Sequence, residues 1–76
     1  MRDPILYTVY RPSKEFPRSF VVRRWRIKGP DPVLIDKGLP LIIAPTAEDA
    51  RKAIPPGRVR IERDESDDPA VLESWI

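Results

Sequence analysis

Two groups of side chains in this sequence have the types and spacing for chemistry. Arg23, Arg24, Arg26 and Lys28 surround Trp25 in the stretch FVVRRWRIK, and Asp64, Glu65, Asp67 and Asp68 crowd into DESDD. Cations at alternate positions of a strand can hold phosphates while an exposed aromatic stacks on a base. Dense carboxylates can hold a hard cation or meet a basic protein surface. DESDD lacks the alternating ligands, central glycine and closing glutamate of a calcium loop, so a solvated turn or a docking patch is its reading, and no metal is expected.

The absences are as informative. The 76 residues contain no histidine and no cysteine, which removes the commonest general base, the commonest metal ligand, a thiolate nucleophile and any disulfide. Serine or threonine catalysis would need an activating lysine or carboxylate at a fixed spacing, and none is evident. With Gly29, Gly38 and Gly57 the only glycines, no phosphate-cradling loop exists. A non-catalytic protein without cofactor is the expectation.

Net charge is +2, but its distribution matters more. Arg11, Lys14, Arg18, Arg23, Arg24, Arg26 and Lys28 face only Glu15 in their part of the chain, whereas Glu62, Asp64, Glu65, Asp67, Asp68 and Glu73 face only Arg63 in theirs. Such a split suits a protein surface, or a second copy, better than a uniform polyanion. The opening residues lack a signal-peptide pattern and no apolar run approaches a membrane span, so a cytoplasmic protein without a membrane partner is expected.

Positioning these groups requires a scaffold that ten prolines punctuate. Ile5 to Tyr10 is β-branched and aromatic and reads as the first strand. Pro12 to Ser19 reads as a loop whose Phe16 folds back on the core. Ser19 to Lys28 is the longest strand, and Gly29-Pro-Asp-Pro is expected to break it. Leu39 to Ala44 reads as a short strand covered on both faces, with Val33 to Ile35 a weaker pairing candidate. Thr46 caps a helix running to about Ile54, with Ala47, Ala50 and Ile54 inward, before Pro55-Pro56-Gly57 stops it. Arg58 to Arg63 alternates, with Val59 and Ile61 expected inward, and forms a hairpin with Ala70 to Ile76. The expected fold is a single α+β domain over residues 1–76, in the order β-β-β-α-β-β. One short helix lies on a mostly antiparallel sheet of four or five strands.

Within FVVRRWRIK a regular pleat would place Val21, Arg23, Trp25 and Ile27 on one face and Phe20, Val22, Arg24, Arg26 and Lys28 on the other. Arg23 would then lie among apolar neighbours on the core side. A β-bulge at Arg23-Arg24 is the cheaper solution, because it turns both arginines outward and leaves Trp25 and Ile27 in the core. Either way Arg24, Arg26 and Lys28 form one stripe, which Arg58 and Arg60 extend if their strand lies nearby. Trp75 and Ile76 read as core, or as an edge that a second copy covers.

The segments FPRSFVVRRW, EDAR, IPPG, DDP and ESW together resemble short uncharacterised proteins of bacterial and prophage genomes. That resemblance implies a bacterial, cytoplasmic, stand-alone domain with no catalytic residues to map, and regulatory binding to another protein. The resulting expectation is a protein-interaction or regulatory binding module, acting on a protein partner or on itself. The alternative is a nucleic-acid-binding module using the basic strand 23–28.

Overall fold

The structure is a computed structural model and describes residues 3–76. Among the described residues six strands and one helix follow the order β1 (Ile5–Tyr10), β2 (Phe20–Lys28), β3 (Asp31–Leu34), β4 (Ile42–Ala44), α1 (Ala47–Arg51), β5 (Arg60–Glu62) and β6 (Val71–Trp75). The α+β class is as the sequence implies, while the sheet has one strand more than expected and four strands precede the helix. Strand order is β3-β2-β1-β6-β5, with β4 also paired to β2, and every pairing is antiparallel.

The additional strand comes from Gly29-Pro30. Instead of ending the ladder, these residues turn it, because Lys28 pairs with Asp31 and the chain runs back along β2 as β3. Gly29 has φ 68, the positive value that primed two-residue hairpin turns require, and the fixed negative φ of Pro30 suits the position after it. Pro32 is tolerated within β3 because β3 is an edge strand.

No bulge interrupts β2. Its pairing with β1 runs from Ile5 opposite Arg26 to Tyr10 opposite Val21 without a shift. Phe20, Val22, Arg24, Arg26 and Lys28 therefore share one face with Ile5, Tyr7 and Val9, and this is the face that carries α1. Arg23, Trp25 and Ile27 lie on the opposite, helix-free face. The expectation that Trp25 and Ile27 enter the main core is thus overturned. The sheet's bulge lies elsewhere, where Val9 pairs with Glu73 but Tyr10 pairs with Val71, leaving Leu72 as the extra residue.

Tyr7, Val9, Val22, Ala44 and Ala50 form the buried core, with Ile5, Phe20, Ile42, Ile54, Leu72 and Trp75 packed around it. Thr46 caps α1 in extended backbone, its hydroxyl accepting from the Asp49 amide, and Glu48 and Asp49 occupy the first turn. The α-helical span is only five residues, after which tighter bonds from Ala53 to Ala50 and Ile54 to Arg51 carry Ile54 onto the sheet. Because so short a helix covers only part of one face, the strand pair it leaves uncovered emerges into solvent.

Two further expectations fail for the same reason. The apolar run 39–44 is not covered on both faces, since Leu39 is 75% exposed and Ile43 alternates outward beside buried Ala44. In β5 the inward side is Arg60 and Glu62, whereas Val59 is 65% and Ile61 42% exposed. Here the helix-bearing side holds a buried acid, so it is the charged residues of β5 that face it.

Candidate functional site

The register does place Arg24, Arg26 and Lys28 along one face, but their surroundings differ. Arg24 donates to Asp36 from Nε at 3.0 Å and Nη2 at 2.7 Å, a bidentate pair that holds the Asp36 carboxyl below its usual range. Arg58 stacks its guanidinium 5.2 Å from the centre of the Tyr7 ring. Arg60 donates to Glu73 and pairs with Glu62. Of the five stripe residues, Arg26 and Lys28 alone are both exposed and free of an acidic partner among the described residues. Arg23, which a bulge would have turned outward, is largely covered on the helix-free face and pairs with Glu15 at 3.3 Å.

The most constrained ionisable group is one that the sequence pattern passed over. Glu73 lies on β6 among the core residues and has no exposed side-chain surface. It accepts four hydrogen bonds: Arg51 Nε at 2.9 Å and Nη2 at 2.8 Å, Arg60 Nε at 3.2 Å, and the Trp75 indole N–H at 2.6 Å. Arg51 in particular outweighs the cost of burial and holds its pKa down at about 2. A carboxylate so fully satisfied is a poor proton acceptor at neutral pH and has no lone pair directed at a substrate. Its work is to tie α1, β5 and β6 together. A lone acid in the apolar stretch AVLESWI, two residues before a tryptophan, is the signal by which it could have been found.

The acidic patch is a self-ordered hairpin turn. Asp64 accepts from the Ser66 amide, Asp67 from the Asp64 amide and Asp68 from the Ala70 amide, and the bonds from Ser66 hold Asp64 below its usual pKa. Among the described residues no group of three or more His, Cys, Asp or Glu is arranged to hold a metal ion. Asp67 and Asp68 instead rim the helix-free face, where they line an open cleft of about 380 Å³ together with Leu6, Tyr10, Trp25 and Pro32. A neighbouring open cleft of about 400 Å³ shares Tyr10 and Asp68 and is lined also by Phe16, Arg23 and Glu15. Phe16 therefore covers this face and does not plug the core cluster.

The floor of the first cleft is well ordered chemically. Trp25 and Tyr10 both line it, and Thr8 on the same face is 5% exposed. Burial pushes the Tyr10 phenol up, against the opposing influence of Trp25 and Arg23. Aromatic walls with carboxylates on the rim suit a cationic side chain and repel an anionic one. Strand β6 is not an edge that a second copy could cover, since it lies between β1 and β5 and Trp75 is packed at the core.

No family model, no curated protein and no solved structure matches this chain. Among the described residues no helix is long and apolar enough to cross a membrane.

Proposed function

We propose that the chain is a non-catalytic protein-interaction module that presents its helix-free sheet face to a partner. The observation that carries this reading is a sheet with apolar side chains on both faces and a helix on only one. Trp25, Ile27, Leu6, Leu34, Ile43 and Ile61 stand on the helix-free side, as their register with the core strands dictates, the first four half-buried and Ile43 and Ile61 exposed. Ile43 and Ile61 are 43% and 42% exposed there. Asp67 and Asp68 on the rim favour a partner that brings a basic side chain to Trp25 and Tyr10.

Nucleic-acid binding through strand 23–28 is the weaker reading. With Arg24 neutralised by Asp36, Arg26 and Lys28 would release about two counterions, a slope near −1.8 in log affinity against log salt. Absence of oligonucleotide binding at about 50 mM salt is the expected result, and salt-dependent micromolar binding would reverse the order of the two readings.

Affinity capture with four matched baits, the native chain and three variants, tests the docking face. A partner retained by the native chain and by Val33→Lys, on the helix-bearing side, but lost with Leu34→Lys or Trp25→Ala is the expected pattern. Capture indifferent to all three substitutions would overturn the reading.

A further inference from the structure

We infer that the free edge of β5 pairs antiparallel with β5 of a second copy, about a two-fold axis at Ile61. The two strands that end the main strand order, β3 and β5, are treated differently. At β3, Ile27 gives its amide to Pro4 on the β1 side, so Pro32 opposite it occupies a position whose N–H would point outward, and proline has none. Edge β3 is thereby closed to pairing. Edge β5, Arg60-Ile61-Glu62, carries no proline, glycine or lysine.

The hydrogen-bond phase says which groups β5 offers. Val59 and Ile76 exchange both main-chain bonds, at 2.7 and 3.0 Å, so by the alternation of an antiparallel ladder Ile61 and Ser74 are the next exchanging pair. Arg60 and Glu62 consequently turn both N–H and C=O away from β6, toward the open side. A two-fold axis at Ile61 sets Arg60 opposite Glu62 of the second copy, and Glu62 opposite its Arg60, in position to exchange four main-chain bonds. The same register matches a cation with an anion twice, because the strand reads basic, apolar, acidic about its centre.

Apolar surface follows the same symmetry. Ile61 lies in a non-hydrogen-bonded position opposite its own copy, where side chains approach most closely. Beside it on the helix-free side stand Val59 and Ile76, with exposures of 65%, 42% and 40% for Val59, Ile61 and Ile76. Like-on-like pairing about an axis closes on itself and gives a dimer, not a fibre. The pairing uses the strand's edge and leaves the Trp25 cleft open, so it extends the docking reading and can fail without it.

Sedimentation and amide exchange from about 10 μM to about 1 mM test the dimer. Self-association is expected, with exchange at the Arg60 and Glu62 amides slowed about tenfold or more at the high end relative to the low one. Glu62→Pro removes an outward donor, the kind Pro32 lacks on the other edge, together with the carboxylate that pairs with Arg60, and Ile61→Lys brings two cations face to face at the axis. Both variants should sediment as monomers with native circular dichroism, while Val33→Lys still dimerises. A native chain that remains monomeric at about 1 mM with unprotected Arg60 and Glu62 amides would overturn the inference. So would a dimer indifferent to Ile61→Lys, and that substitution with the exchange data decides even if Glu62→Pro does not fold.

Discussion

Glu73 shows what a single residue contributes here and what it cannot do. Its carboxyl ordinarily titrates at 4.5 and in the folded chain titrates at about 2. Because the folded value is the lower one, the stabilisation is complete above pH ~4.5 and is lost as pH falls toward ~2. A difference of this size corresponds to roughly 3 kcal/mol. Urea midpoints measured from pH 7 to pH 2 should therefore fall steeply below pH ~4.5, and Glu73→Gln should flatten that limb while costing about 3 kcal/mol at pH 7. Equal acid sensitivity in native and variant chains would assign the loss to other carboxylates, Asp36 first among them. The sequence hid this residue because charge counting grouped it with the solvated DESDD turn. Burial of an acid depends on Arg51 and Arg60, which lie 22 and 13 positions away, and no local pattern encodes that meeting.

At the level of elements, local signals were legible wherever a turn or cap decides the backbone. Thr46 with Glu48 and Asp49 gave the helix start, and the β5–β6 hairpin followed from alternation on either side of the acidic turn. Thr46→Ala should cost about 1 kcal/mol, read as a lowered thermal midpoint, since it orphans the Asp49 amide. Gly29→Ala should cost roughly 1–2 kcal/mol by placing a Cβ at φ 68, although nothing lies within 4 Å of that Cβ. A loss at Gly29 thus measures backbone strain alone. What the sequence could not resolve was the phase of FVVRRWRIK, because both of its faces carry apolar and basic residues. The preference for a bulge assumed that one face is core along the whole strand. In fact α1 covers only the Phe20–Val22 end, so burial changes along the strand and not across it, and a regular pleat leaves Arg24, Arg26 and Lys28 progressively outside.

The whole molecule divides its labour between the two sides of one sheet. On the helix side Val9 and Val22 are fully buried, and deleting two methyl groups from either should cost about 2 kcal/mol, the transfer term plus a small cavity. On the other side Ile43 and Ile61, at 43% and 42% exposure, lose little contact when shortened. Ile43→Thr and Ile61→Thr should leave unfolding free energy within about 0.5 kcal/mol, measured at low micromolar concentration where any dimer is dissociated. A side chain that contributes to partner binding but not to folding is free to be apolar only if something else covers it for part of its life, since exposed aliphatic surface otherwise invites aggregation. A loss at Ile43 and Ile61 as large as that at Val9 and Val22 would mean the helix-free face is already covered within the chain, and the docking reading would fall with it.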